Sequence, residues 1–516
     1  MNPFDTVAIS TFGALVRDHA AARPDAAALS FADRRWTYAA LDLHANRIAH
    51  ALLRDGIVAG DRIAWLGRNS DVVALLALAC ARAGAIFVPI NWRLAPLEIA
   101  HILADCGARA LVLGDGYRTP AGAPPIATLD ARTLVDGAWL DARMIAPDVA
   151  VDARDTVLMM YTSGTTGLPK GVMLSHRSLF GTSTLRRRTA VPWDDWSADD
   201  VTLVPVPLAH IGGFGMLART LFFGGEAVVQ EGFDPGDVLD AIAHRRISKV
   251  GLVPTAMKMV IDHPRSREVD YRRIRTMIYG AAPITLDLLR EAIEVFGCRF
   301  AQSYGMSETS GTCVALPPDD HDVAGNPRMR SAGRALPGTE LKIVDAAGVA
   351  VPDGTDGEIA IRCISVMNGY WNRPDATAQV LDADGWYRTG DAGCLDADGY
   401  LFIKDRLKDM IVSGAENIYP AEVENALADH PDVAQVAVIG VPDAHWGEAV
   451  KAVVVPAPGR SIDAPALIAW ARTRIAAFKA PRSIDIVAAL PHNASGKVQK
   501  AELRKRYWAG SERGVN

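Results

Sequence analysis

From Thr11 to Asp115, stretches with apolar residues at helical spacing alternate with short β-branched runs at Arg62–Leu66, Ala85–Ile90 and Ala110–Leu113. Strands joined by helices imply parallel α/β layers. The run Val72–Ile90, VVALLALACARAGAIFVPI, is nearly long enough to span a bilayer. Arg82 and Gly84 divide it and Pro89 lies near its end, so it predicts a buried helix running into a core strand. The alternation resumes further on, with strands predicted at Val201–Val206, Glu226–Gln230, Lys249–Val253 and Thr276–Tyr279. Between Thr339 and Tyr400 the pattern changes to short strands cut by DAAG, PDGTDG and DADG turns, which predicts a small β-rich barrel or sheet. The segment KDRLKD, Lys404–Asp409, concentrates charge between apolar runs and marks the domain boundary. Residues 1–407 then form a large N-terminal domain of α/β layers plus the β-rich element. Residues 408–516 form a small α+β domain, with strands at Val433–Val441 and Val450–Val455 and a helix at Ala464–Ala477.

Composition narrows the class. A chain of 516 residues exceeds one core. Hydrophobic content of 49% and a formal charge of -6 suit a soluble globular protein and give no electrostatic reason to expect nucleic-acid binding. Cys80, Cys106, Cys298, Cys313, Cys363 and Cys394 form no CxxC pair and read as reduced thiols. The N-terminus MNPFDTVAIS lacks a basic region followed by an apolar stretch, so a cytoplasmic location is expected. Arg186–Arg188 and Arg265–Arg275 are basic clusters that suit either solvated helix faces or peripheral contact with a bilayer surface.

The chemistry concentrates in Tyr161–Val172, YTSGTTGLPKGV. Glycines, hydroxyl side chains and one lysine offer unhindered N–H and O–H donors plus a cation, the requirements of a triphosphate cradle. Neither the GxxxxGK[ST] spacing nor a Ser/Thr after a Gly-Lys pair is present, so this is not a Walker loop. The loop follows the apolar run Val157–Met160 and precedes a helix-like segment.

Further motifs follow in order: GAAP at Gly280–Pro283, QSYGMSE at Gln302–Glu308, YRTGD at Tyr387–Asp391, KDRLKDMIVSGAENIYPAEVE at Lys404–Glu424 and NASGKVQK at Asn493–Lys500. Together with the loop they resemble the AMP-forming acyl-CoA synthetases, of the superfamily that also holds peptide-synthetase adenylation domains and firefly luciferase. The resemblance covers essentially the whole chain. It implies activation of a carboxylic acid, fatty or aryl, by ATP to an acyl adenylate, then transfer to CoA. The 408–516 domain would rotate about a hinge with Lys408 at its pivot.

The resemblance assigns Thr162, Ser163, Gly164, Thr165, Thr166 and Lys170 to the β- and γ-phosphates, and Glu308 to Mg²⁺. Ser307, where most relatives have Thr, lies next to the α-phosphate. Tyr304 and Gly305 border the adenine, with Gln302, Gly280, Ala281 and Ala282 leaving room for adenine and acyl group. Asp391 and Arg406 bind the ribose. Lys497 is the adenylation catalyst, an ammonium able to reach between carboxylate and α-phosphate. Ser413, Gly414 and Trp446 line the CoA path, joined by Phe478 and Lys479. His210, in PLAHIGGFG, lines or gates the carboxylate site, and Ile211, Phe214, Met306 and Cys313 are candidate apolar walls. Two positions depart from the family pattern: Ala209 precedes His210 where relatives often have an aromatic residue, and Ala415 replaces a glycine. Two alternatives stay open, an adenylating enzyme that loads a carrier protein and a non-catalytic nucleotide- or CoA-binding protein on the same fold. The identity of the acid and the oligomeric state are not legible in the sequence.

Overall fold

The computed structural model describes residue 4 and residues 6–162, 169–282, 284–406, 409–413, 416–443, 446–492 and 497–508, with the backbone alone at 405, 406, 416 and 417. The chain forms two compact units. The first comprises Met1–Leu341 with Ile361–Tyr387, the second Lys342–Ala360 with Arg388–Asn516. The stretch from Lys342 to Ala360 and the residues just after Tyr387 thus group with the C-terminal part, ahead of the 407/408 division.

Two sheets organise the first unit. One is seven-stranded, in the order Gly369–Tyr370, Lys170–Ser175, Thr156–Thr162, Ile86–Ile90, Arg62–Leu66, Ala110–Leu113, Ala127–Asp130. The other is nine-stranded and runs from Arg334–Ala335 through Gly311–Leu316, Arg299–Met306, Thr276–Gly280, Lys249–Leu252, Val201–Val204, Glu226–Val229 and Ala27–Phe31 to Arg34–Thr37. Their central pairings are parallel, as strand–helix alternation requires. Helices sit between and outside them. One core joins Leu29, Ala227 and Val229 of the nine-stranded sheet to Ile63, Phe87 and Leu158 of the other through the helices Phe12–Ala22, Tyr38–Arg54 and Asp71–Ala83. The outer faces are covered separately, the nine-stranded sheet by helices Pro235–His244, Pro254–Asp262 and Leu286–Phe296.

The helix Asp71–Ala83 has every residue buried, because its sequence is apolar on all sides. Its one internal cation, Arg82, is 6% exposed and is held by Asp42 and Asn46. Gly84 ends the helix at φ 69° and the chain enters the strand Ile86–Ile90. The apolar run at 72–90 is therefore a buried helix and strand, and no helix among the described residues is long and apolar enough to cross a membrane.

The second unit holds a sheet ordered Thr339–Val344, Gly357–Cys363, Tyr387–Leu395, Leu401–Arg406, three of whose strands begin or end in the first unit. This linear four-stranded sheet is the β-rich element expected from the turn-rich sequence. A five-stranded sheet built on the hairpin Val433–Asp443 with Gly447–Pro456 follows, carrying helices Pro420–Ala428 and Ala464–Arg472.

Candidate active site

The Tyr161–Val172 loop is the tip of an antiparallel hairpin. Thr162 pairs with Lys170 across it and Tyr161 with Gly171. The helix-like segment expected directly after the loop is preceded by the strand Lys170–Ser175, because Val172 and Leu174 alternate into the core. The helix His176–Thr189 starts only where Ser175 Oγ caps the Ser178 N–H at 3.0 Å. Ser163, Gly164, Thr165 and Thr166 lie outside the described residues, as does Pro283. The base of the tip is anchored. The Tyr161 hydroxyl donates to Asp105 at 2.7 Å, and Arg373 binds the other Asp105 oxygen at 2.8 Å.

Gly280 pairs with Ser303 in adjacent strands, so the start of GAAP lies beside QSYGMSE although eighteen residues separate the two motifs in sequence. Gly280 cannot carry a side chain, since a Cβ there would sit 2.1 Å from the Ser303 carbonyl oxygen. Ala281 follows at φ 64°, a left-handed conformation that costs an L-residue about 1–2 kcal/mol. Gln302, Ser303, Tyr304, Gly305, Met306, Ser307 and Glu308 are all half-buried, the exposure of a strand bordering a cleft. Gly305 approaches Gly311 so closely that a Cβ would lie 1.8 Å from the Gly311 oxygen.

Glu308 and Lys170 meet at a residue that sequence reasoning missed. Tyr370 lies on the short strand Gly369–Tyr370, which pairs with Lys170–Ser175. Its hydroxyl donates to Glu308 Oε1 at 2.9 Å, and the Lys170 ammonium sits 5.3 Å from its ring centroid. The Met367 N–H also donates to the Glu308 carbonyl at 2.8 Å. Burial, with the Glu308 charge second, holds the Tyr370 phenol above its ordinary pKa, so it stays a donor. Nothing in MNGYWNRP distinguishes this tyrosine from a core aromatic.

His210 caps the helix Ile211–Phe223, with its Nε2 3.2 Å from Asn91 Nδ2 at the end of the strand Ile86–Ile90. An amide nitrogen only donates, so in this contact Nε2 accepts and Asn91 fixes the orientation of the ring. Phe214 is not a pocket wall. Helical periodicity places it with Leu217 and Leu221 on the core face, 1% exposed and packed on Phe87. Cys313 is fully buried and its Sγ lies 3.6 Å from the Tyr304 carbonyl, so it too is core. The basic clusters are largely neutralised locally: Arg186 pairs with Asp194, Arg265 with Asp240, Arg272 with Asp270 and Arg275 with Asp200.

In the second unit Asp391 is 8% exposed and stands directly opposite Arg406 in neighbouring strands, so the proposed ribose pair is adjacent in register. Glu358, also missed in the sequence, orders the YRTGD segment at the start of the strand Tyr387–Leu395 by accepting from Arg388 Nε at 2.6 Å and from the Gly390 N–H at 3.0 Å. Lys408 and Gly414 lie outside the described residues, as does Ala415. Ser413 pairs with Gly447, which brings the SGAEN hairpin next to Trp446. Trp446 is 38% exposed, with Arg482 over its ring at 4.8 Å. Phe478 is exposed and Lys479 binds Glu422. Lys497 is exposed, next to Val498, which forms an isolated bridge with His492.

No group of three or more His, Cys, Asp or Glu side chains suited to a metal occurs among the described residues. A lone carboxylate such as Glu308 fits Mg²⁺, which keeps water and substrate phosphate in most of its positions.

A family model described as AMP-binding enzyme matches residues 16–371, and one described as AMP-binding enzyme C-terminal domain matches residues 422–497. The chain is 43% identical over 488 residues to a feruloyl-CoA synthase from Amycolatopsis sp, covering 94% of this chain and 96% of that protein. It is 40% identical over 507 residues to the fatty acid–[acyl-carrier-protein] ligase ScoC from Streptomyces coeruleorubidus, covering 96% of each. The fold is also similar to o-succinylbenzoate CoA synthetase from Bacillus subtilis, solved in complex with its acyl-adenylate intermediate. That match has a TM-score of 0.87 and 30% identity over 96% of this chain and 98% of the other.

Proposed function

Because the chain belongs to the AMP-binding enzymes and is an AMP-forming acyl-CoA synthetase of the adenylate-forming superfamily, we propose the following residue roles for its two half-reactions. A carboxylate is a poor acyl donor, since its leaving group would be oxide. Its oxygen therefore attacks the α-phosphorus of ATP, an O–P bond forms, the bond to pyrophosphate breaks, and the acyl adenylate results. A thiol sulfur then attacks the acyl carbon, the C–O bond to AMP breaks, and the thiol loses its proton.

In this reading Thr162, Ser163, Gly164, Thr165, Thr166 and Lys170 bind the β- and γ-phosphates, and Ser307 donates toward the α-phosphate. Glu308 holds Mg²⁺, which would neutralise phosphate charge. Tyr304, Gly305, Gln302, Gly280, Ala281 and Ala282 shape the adenine and acyl space, Asp391 and Arg406 hold the ribose, and His210 borders the carboxylate. Lys497 stabilises the charge that builds between carboxylate and α-phosphate. The observation that carries the reading is the junction at Tyr370, where the lysine of the hairpin and the carboxylate of QSYGMSE meet on one ring.

For the second step we favour CoA. Ser413 pairs in register with Gly447, the chain neighbour of the exposed Trp446, which supports a path for a pantetheine arm and its nucleotide past this strand pair. Residues 408–516, with Lys408 at the pivot, are proposed to move as a body between the two half-reactions. Carrier loading is the second reading, favoured by the likeness to the acyl-carrier-protein ligase. Fatty and aryl acids are both substrate candidates, in line with the names of these two relatives.

Pyrophosphate release with a panel of acids, with and without CoA, tests the proposal. Acid-dependent release that CoA converts to thioester is expected. Release without thioester would turn the assignment to carrier loading, and no release with any acid would overturn it.

A further inference from the structure

The helix Ile211–Phe223 begins at His210 with the sequence IGGFG, although glycine disfavours helix relative to alanine. Only one of its glycines is required by packing. A Cβ on Gly213 would lie 2.4 Å from the Pro207 carbonyl oxygen, whereas on Gly212 or Gly215 it would meet nothing within 4 Å. At 100° per residue Gly212, Gly215, Met216 and Arg219 share one face of this helix, opposite the buried Phe214, Leu217 and Leu221. That face is turned to the nine-stranded sheet, where Ile211 lies nearest a Cβ on Gly311 and Met216 nearest one on Gly251. A bare strip of helix therefore leads away from His210, with glycine where a side chain would otherwise fill the space.

The strip ends at a cavity of about 20 Å³, room for one water. Arg186, Arg219, Trp196, Ile278, Ser303 and Thr312 are among its walls. Its charge is not balanced. Arg186 pairs with Asp194, both 3% exposed, and Lys249 with Asp195, which also faces Arg275 and Arg299. Arg219 makes no hydrogen bond or ion pair among the described residues, only a contact of 5.5 Å with the Trp196 ring. Arg186 Nε and Nη1 are buried and find no partner there either. Burial, with Arg186 adding to it and Asp194 opposing, pushes the Arg219 guanidinium down to about 9. The two Arg186 donors are buried without an acceptor among the described residues, which is costly, and Arg219, half-buried beside them, leaves its guanidinium turned to the same cavity, so an acceptor oxygen brought there would be bound.

Resting on the adenylating role proposed above, we infer that the acyl group lies along Gly212 and Gly215 and ends on Arg219 and Arg186, so that the preferred acids carry a flat ring and an acceptor oxygen at the far end, hydroxyl or carboxylate. From His210 to Arg219 the helix rises about 13 Å. This suits a phenylpropenoic acid with a para oxygen, while a long unbranched alkyl chain would bring methylenes to the guanidinium.

The test measures pyrophosphate release with 3-phenylpropenoic acid, its para-hydroxy and para-carboxy derivatives, and an alkanoic acid of equal length. The unaltered protein should prefer a para-oxygenated acid over the unsubstituted one by about tenfold or more in kcat/KM, as sites built to hydrogen-bond a substrate group do. In R219M that ratio should fall to near one. G215A, placed in open space within a helix, should melt no lower than the wild type yet lose about tenfold or more on every ring-bearing acid. Equal rates for the para-oxygenated and unsubstituted acids, a preference for the alkanoic acid, a ratio that survives R219M, or full activity in G215A overturns the inference and leaves adenylation standing. Absence of pyrophosphate with every acid would instead remove the adenylating role, and this inference with it.

Discussion

Replacing Tyr370 with phenylalanine removes one hydroxyl, which donates to Glu308 and is also hydrogen-bonded to Tyr387. Tyr370 is 8% exposed and its hydroxyl lies 2.9 Å from Glu308 Oε1, while its ring faces the Lys170 ammonium. Phenylalanine keeps the ring and the cation contact and removes the donor to Glu308 together with the Tyr387 contact, whose loss the melting temperature reads and the magnesium midpoint does not. A hydrogen bond to a charged group is worth about 1.5–3 kcal/mol, which corresponds to roughly 10- to 150-fold. If Tyr370 orients Glu308 for Mg²⁺, that loss should appear in adenylation, as a higher Mg²⁺ concentration for half-maximal rate and a lower kcat/KM for ATP. The assay is pyrophosphate release across a magnesium titration at saturating acid, with thermal melting of both proteins alongside. A purely structural role would lower the melting temperature and leave the magnesium midpoint in place. An unchanged midpoint, with kcat/KM for ATP within about twofold of wild type, refutes the positioning argument.

Lys497→Ala should slow adenylate formation by about a hundredfold or more while thioester formation from supplied acyl adenylate persists; equal losses in both half-reactions would remove its assignment. Gly305→Ala should be destabilised by about 3 kcal/mol or more, because a Cβ there meets the Gly311 oxygen at 1.8 Å and backbone cannot step aside; a urea midpoint matching wild type would contradict that geometry. His176 is 1% exposed and accepts the Phe12 N–H at Nδ1, and burial lowers its pKa to about 4 from 6.5. Between those values the unfolded chain binds a proton that the folded chain does not, so stability falls as pH drops through this window, by up to about 3 kcal/mol from this group. Urea unfolding from pH 7 to pH 4 should show that slope, reduced in His176→Asn; parallel slopes would rule His176 out as its source.

The strands at Arg62–Leu66 and Ala110–Leu113 were readable to the residue because both faces of a parallel strand inside the sheet are buried, leaving short continuous apolar runs. The strand Lys170–Ser175 was not, since KGVMLS alternates over only a few residues and the capped helix behind it dominates the local pattern. At the candidate site, residues within motifs were legible and their supports were not. Tyr370, Asn91 and Glu358 act on Glu308, His210 and the YRTGD strand from distant parts of the chain, and none has a chemical signature of its own. Phe214 misled for the opposite reason: it stands among glycines in a motif, and only the helix phase shows that it faces the core.

The chain passes between the two compact units three times, after Leu341, Ala360 and Tyr387. No single cut in the gene can therefore yield two fragments that each encode one whole unit. A product ending at Leu341 would lack Tyr370, and a partner fragment starting at Arg388 would lack Glu358, the residue that holds its Arg388 and Gly390. Shuffling C-terminal parts among relatives is thus best attempted at junctions beyond Arg406, where the four-stranded sheet is complete and travels with one parent.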